Sequence, residues 1–218
     1  MTGQQYEQLT SGAKVLSRDR HGDKVLSLAD GRVLKLFRRK RLLSSGLFFP
    51  YAQRFAAAAE KLAQRGIPAV RVRAVLRISD MHRDAVVYDY LPGQPLREAA
   101  ERNADLLDDL ARFMAELHAK GVYFRAIHLG NVLVQPDGAL GLIDVSEARF
   151  SRGGLSVSKR ARNFKPLLRY QQDLDALAAF GFTRFLNRYI EAAGLSACRA
   201  GALRRRVVSL EPRFASHA

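Results

Sequence analysis

The hydrophobic period of this chain changes once, at Leu91-Pro92-Gly93-Gln94-Pro95, and that change constrains the fold more than any single motif. Before it, short apolar runs alternate with turn residues. Ala13-Lys14-Val15-Leu16 leads to His21-Gly22-Asp23, then Lys24-Val25-Leu26-Ser27-Leu28, then Asp30-Gly31 and Arg32-Val33-Leu34-Lys35-Leu36-Phe37. Period-two alternation closed by Asp-Gly predicts three antiparallel strands joined by tight turns. The Ala-rich stretch 50–64 predicts a helix that Gly66 stops, and two more strands are predicted around 70–78 and 85–90. Beyond the break, Leu106, Leu107, Leu110, Phe113, Met114 and Leu117 recur at helical spacing, with Asn103 as cap and Gly121 as stop. Strand-like fragments at 132–134 and 140–143 flank the turn Pro136-Asp137-Gly138, and 166–193 is mostly helical. Strands first and helices later predicts an α+β chain in two lobes, 1–91 and 92–218.

Charge comes next. The 218 residues carry 36 Lys and Arg against 21 Asp and Glu, a net +15. Such a surplus implies polyanionic company: nucleic acid, an anionic membrane face or a phosphorylated substrate. An apolar content of 48% excludes a disordered chain. No apolar run approaches the roughly 20 residues of a spanning helix. Met1-Thr2-Gly3-Gln4-Gln5 lacks the basic start and apolar core of a secretory signal, and the single Cys198 excludes a disulfide framework or a cysteine-rich zinc site. The chain reads as cytoplasmic.

Four polar residues fall at telling places. Lys35 lies mid-strand, its ammonium on the face opposite Leu34 and Leu36. Glu60, the only carboxylate between Asp30 and Asp80, sits on the next helix as a candidate partner. Asn131 opens one strand of the second lobe and Asp144 closes the next, so a hairpin sets two oxygen donors side by side, as a hard cation such as Mg²⁺ requires. Alone, a strand lysine is ordinarily solvated and an aspartate after a strand ordinarily caps a turn. The order Lys, Glu, connector, long helix, Asn, Asp is that of protein kinases.

On these residues the chain resembles the protein-kinase-like superfamily. The 33–37 strand is similar to the nucleotide-binding lysine strand. Val86-Val87-Tyr88-Asp89-Tyr90-Leu91-Pro92-Gly93 is similar to the connector that holds adenine, which makes Asp89 and Leu91 cofactor-binding candidates. Residues 117–131 resemble the run into the catalytic loop, and Ile143-Asp144-Val145-Ser146 stands where a magnesium-binding Asp-Phe-Gly is expected. The finer likeness is to bacterial lipopolysaccharide core kinases, which phosphorylate Kdo or heptose, and to the small toluene-tolerance proteins. It is carried by 37–45, by 123–131, by Arg162-Asn163-Phe164 and by Leu168-Arg169-Tyr170. The resemblance implies a two-lobed kinase-like fold with an antiparallel-sheet N-lobe and a trimmed helical C-lobe. It also implies ATP and Mg²⁺ as cofactors, with Lys35 and Glu60 on the nucleotide and Asn131 and Asp144 on the metal.

The departures matter. Only Gly22 stands where a glycine-rich loop covers phosphates, and Asp144 is followed by Val145 and Ser146. Five residues before Asn131, the catalytic aspartate position holds Ala126, and the preceding histidine position holds Phe124. Alanine accepts no proton, but phosphoryl transfer draws most of its acceleration from positioning and charge neutralisation. His128 is the candidate to contact the phosphate or replace the base, with Arg125, Asn131 and Asp144 completing the catalytic set. Arg149, Arg160 and Arg162, soon after the metal aspartate, suit a phosphorylated, carboxylated sugar acceptor such as lipopolysaccharide core or another phosphorylated glycolipid. Arg38-Arg39-Lys40-Arg41 beside Leu47-Phe48-Phe49 suits peripheral docking on the anionic inner-membrane leaflet, with Arg204-Arg205-Arg206 as a second contact. Two other readings share parts of this pattern. One is a nucleotide-binding pseudokinase acting as a partner protein in cell-envelope biogenesis. The other is a basic nucleic-acid binder, for which the interleaved aromatics are missing, so no nucleic-acid partner is expected.

Overall fold

A five-stranded antiparallel sheet dominates the first 91 residues of the computed structural model, which describes residues 1–20, 22–38 and 50–210. The chain divides into two compact units, Met1–Leu91 and Pro92–Ala218. The first begins with helix α1 (Gly3–Leu9), which no apolar period announced. Thr2 and Gln5 form a capping box at its start, and Asp80 accepts the Gly3 amide at 2.6 Å. Strands β1 (Lys14–Asp19), β2 (Gly22–Ser27) and β3 (Arg32–Arg38) follow as the alternation predicts. The Asp30-Gly31 turn closes β2 onto β3: Asp30 accepts the Arg32 amide at 3.0 Å, and Gly31 takes φ 82°, which a side chain resists. Helix α2 (Tyr51–Ala63) and strands β4 (Val72–Ile78) and β5 (Arg83–Asp89) complete the unit in the sheet order β1-β2-β3-β5-β4.

Strand β3 runs through the interior of this unit, and Val33, Leu34, Lys35 and Leu36 are all buried. Period two sends them to different layers. Leu34 and Leu36 join Leu26, Leu28, Ile78, Ala85 and Val87, with Tyr6 and Leu9 of α1 packed on them. Each such Leu contributes about 1.5–3 kcal/mol when buried. Phe37, Phe55 of α2 and Tyr88 form a tilted aromatic run, with centroids 5.9 and 5.4 Å apart.

The second unit is mainly helical. Strand β6 (Gln94–Pro95) leads into α3 (Leu96–Arg102) and α4 (Leu106–Ala119). Asn103 does not cap α4: Asp105 holds that position, and Asn103 ends α3 while its side chain accepts the Asp105 amide at 3.1 Å. Gly121, at φ 73°, ends α4 where a Cβ would stand 2.5 Å from the Gly153 carbonyl oxygen. Strand β7 (Val122–Phe124) pairs with β10 (Ala148–Phe150), while β8 (Val132–Val134) and β9 (Leu140–Leu142) form an antiparallel pair beside β6. Helix α5 (Val157–Arg162) precedes α6 (Gln171–Phe180) and α7 (Phe182–Ala192), which Gly181 separates; α8 (Ala197–Val208) packs on α5. Among the described residues, no helix is long and apolar enough to cross a membrane.

Candidate active site

The loop after β7 is held from below by a relay of buried polar groups. Asn163, 1% exposed, brackets Phe124: its Oδ1 accepts the Phe124 amide at 3.1 Å and its Nδ2 donates to the Phe124 carbonyl at 2.8 Å. The same Oδ1 lies 3.1 Å from His118 Nε2, and His118 Nδ1 lies 2.6 Å from the Tyr189 hydroxyl. Arg160 donates to that hydroxyl at 3.0 Å and to the Leu155 carbonyl at 2.9 Å. One proton arrangement satisfies every member: Arg160 donates to Tyr189, Tyr189 to His118 Nδ1, and His118 Nε2 to Asn163. Burial supports it, pushing His118 down to about 4 and Tyr189 up to about 12, so both are neutral near pH 7.

A second anchor holds the loop at its far end. Asp173, fully buried in the first turn of α6, receives Arg97 of α3 through bonds of 2.7 and 3.2 Å, and its Oδ2 also accepts the Leu129 amide at 3.1 Å. The Arg97 guanidinium lies 5.4 Å from the ring centre of Tyr170, and the Tyr170 and His128 rings meet in a T-shaped arrangement with their centres 4.8 Å apart. Between the anchors the loop closes on itself. Asn131 Nδ2 donates to the Ala126 carbonyl at 3.0 Å, the Asn131 amide to the His128 carbonyl at 2.9 Å, and the Gly130 amide to His128 Nδ1 at 3.2 Å. Burial, above all, holds the half-buried His128 below its ordinary pKa. Asp173 and Asp144 oppose that, while Arg97 and Arg169 reinforce it.

The structure brings Asn131 and Asp144 to one end of the β8–β9 pair. Val132 stands opposite Leu142, and the Ile143 amide donates to the Asn131 carbonyl at 3.1 Å. Asp144 sits at φ 53°, ψ 44°, a left-handed conformation that Asp adopts more readily than most residues. Arg125 joins the same neighbourhood through a 3.3 Å ion pair to Glu147, three residues beyond Asp144. Because Nδ2 of Asn131 is engaged, Oδ1 is the atom it offers a ligand. Two oxygen donors without His or Cys fit a hard cation that completes its shell from water and phosphate. No set of three or more His, Cys, Asp or Glu gathers into a metal cluster among the described residues.

The remaining candidates divide once their surroundings are known. In the first unit Lys35 is 6% exposed, not solvated, with its ammonium 5.7 Å from the ring centres of both Phe37 and Phe55. Glu60 is not brought to Lys35 among the described contacts; it is exposed, and its carboxylate accepts from Gln64 at 3.2 Å. Asp89 is ion-paired to Arg73 at 2.7 Å, and Leu91 follows the end of β5 in neither strand nor helix. Arg149 and Arg162 are exposed, whereas Arg160 is 8% exposed and committed to Tyr189 and Leu155, which removes it from acceptor binding. The basic and apolar stretch 39–49 lies outside the described residues. Asn163, Asp173 and Arg97 are the supports that sequence reasoning missed. Asn163 stands in a segment that carries family likeness without an evident role, and Asp173 reads as an ordinary first-turn acid.

A lysine-bearing antiparallel sheet, followed by a helical unit with an Asn-ended loop and an aspartate-bearing strand pair, is the architecture of kinase-like phosphotransferases. The solved structure of an aminoglycoside-3'-phosphotransferase of type VIII is similar to this chain with a TM-score of 0.61 at 18% identity, over 91% of this chain and 93% of that one. The model of the phosphotransferase enzyme family (APH) matches residues 12–120, half of the chain, and the chain belongs to that family. The Ala126 loop, Asn131 and Asp144 lie beyond the matched stretch. No curated protein matches the sequence.

Proposed function

We propose that this protein transfers the γ-phosphoryl group of ATP to a sugar hydroxyl of the lipopolysaccharide core, at the cytoplasmic face of the membrane. The reading is carried by the closed loop in which Asn131 bonds back to Ala126 and shares one end of the β8–β9 pair with Asp144. Asn131 and Asp144 would hold Mg²⁺, which neutralises the charge of phosphates in transit. A buried ammonium at Lys35 suits the phosphate chain of a nucleotide, and the connector ending in Leu91 suits its base. The exposed forks of Arg149 and Arg162 suit an acceptor bearing carboxylate or phosphate.

His128 acts here as a donor. Its Nδ1 lone pair accepts the Gly130 amide, so the neutral ring keeps its proton on Nε2 and presents an N–H to a phosphate oxygen. No side chain at Ala126 takes the proton of the acceptor hydroxyl. The reaction therefore forgoes the roughly 10²–10⁴-fold that a general base supplies, and runs on positioning and charge neutralisation.

The alanine at 126 also favours a second reading, a nucleotide-binding partner protein without turnover. Purified protein incubated with labelled ATP, Mg²⁺ and defined core oligosaccharides separates the two. Label on the oligosaccharide, lost in Lys35→Met and Asp144→Asn, supports the kinase. Thermal stabilisation by MgATP without transfer supports the partner protein. Neither stabilisation nor transfer overturns both.

A further inference from the structure

The second unit segregates its charges. Most cations on α3, α4, α7 and the β7 loop are matched by carboxylates: Arg97 by Asp173, Arg112 by Asp109, Lys120 by Glu116, Arg125 by Glu147, and Arg184 and Arg188 by Asp108, while Arg102 of α3 donates to the Gln94 amide oxygen. No acidic residue occurs between Glu147 and Asp173, or between Glu191 and Leu210. These two acid-free stretches hold α5 and α8, which pack against each other. Lys159, Arg162, Lys165, Arg199, Arg205 and Arg206 are all exposed on them, and among the described residues none is ion-paired to a carboxylate. What polar contacts the α8 arginines make are to neutral oxygens, as from Arg206 to the Ala202 carbonyl at 3.2 Å. Arg199 and Arg206 stand seven residues apart, about two turns, so they lie above one another on the same flank of the helix.

Like charges held together without counter-charges raise the energy of the free protein and favour a polyanion that neutralises them. Besides Arg204, the residues between these cations on α8 are small or aliphatic, Ala200, Gly201, Ala202 and Leu203, and Val207 and Val208 follow them. Neither helix carries an aromatic ring for a base to stack on or an amide side chain to read a base edge. Their shared face does offer an array of diffuse positive charge, which a layer of lipid headgroups satisfies without any registered contact.

We infer that the outer face of α5 and α8 docks this protein on an anionic lipid leaflet. The inference stands on the charge segregation and does not depend on the phosphotransferase reading. The sequence already offers Arg204-Arg205-Arg206 as a leaflet contact, and the structure adds α5, packed on α8, to it. Each Lys or Arg at such a surface contributes about fivefold to the partition coefficient, so neutralising three costs about 100-fold.

The test is flotation of the full chain with vesicles of phosphatidylcholine alone or with added phosphatidylglycerol. The wild type floats only with the anionic vesicles and releases as salt is raised. The variant Arg199→Gln/Arg205→Gln/Arg206→Gln, and separately Lys159→Gln/Lys165→Gln, float less while their thermal unfolding matches the wild type. Failure of the wild type to float with anionic vesicles overturns the inference, as does equal flotation by the α8 variant. A labelled oligonucleotide that strips the protein from vesicles, and whose tighter binding the same substitutions abolish, reassigns the face to nucleic acid.

Discussion

Arg97 and Asp173, 76 positions apart, meet through a two-bond pair in which the carboxylate is fully buried and its Oδ2 also takes the Leu129 amide. The pair thus fixes the loop one residue after His128. Removing the acid strands a partly buried guanidinium and orphans a backbone donor. Asp173→Ala is expected to lower unfolding free energy by about 3–5 kcal/mol in a urea titration. Asp173→Asn keeps an oxygen for Leu129 and is expected to lose clearly less. Equal losses for the two variants refute the backbone role.

Acid sensitivity should come from His118. Its folded pKa, about 4, lies below the ordinary 6.5 because burial disfavours the cation. Between those values the unfolded chain binds a proton that the folded one refuses. Stability is therefore full above pH 6.5, falls as pH drops toward 4, and has no further loss from this group below it. The span corresponds to about 3 kcal/mol. His118→Gln preserves a donor and an acceptor without titrating, and should flatten the slope. Burial pushes His128 down as well, which adds with the same sign. Unfolding free energies that are identical at pH 7 and pH 5 in the wild type contradict this account.

A donor role for His128 separates two substitutions. Glutamine retains an N–H near the position of Nε2, so His128→Gln should keep turnover within about tenfold. His128→Ala should lose about 10²-fold, the cost of one oriented donor to a developing charge. If both variants fall equally, the ring serves as a base, and the Gly130 contact must open during turnover.

The alternating strands and the Asp30-Gly31 turn were legible because β-sheet order is written locally, two residues at a time. The Asn131–Asp144 neighbourhood was legible for a similar reason, since Pro136-Asp137-Gly138 folds one short strand onto the next. Contacts across 39 to 76 positions carry no such local signature, which hid Asn163 and Asp173. Glu60 lies five residues after the core residue Phe55, about 140° around α2, and so points away from the buried face, a phase the sequence order alone does not show. Arg160 was lost in a charge run where its neighbours Lys159 and Arg162 do face solvent. The capping box Thr2/Gln5 was readable, and marks α1 despite its lack of apolar period.

Ala126 is a position where a carboxylate can be added without removing a backbone bond of the loop. The loop is closed through the Ala126 carbonyl, not its side chain, by Asn131 Nδ2 at 3.0 Å, and the residue is only partly buried. Ala126→Asp therefore adds a carboxylate at the position five before Asn131 while every backbone bond of the loop remains available. If the wild type transfers phosphate by positioning alone, the new carboxylate accepts the acceptor's proton and turnover rises by at least about tenfold, within the range a general base supplies. The gain should need Asp144, so that Ala126→Asp/Asp144→Asn stays at the level of Asp144→Asn. Unchanged turnover in Ala126→Asp, with MgATP stabilisation intact, shows that the loop does not present an acceptor hydroxyl to position 126 and moves the balance to the partner-protein reading.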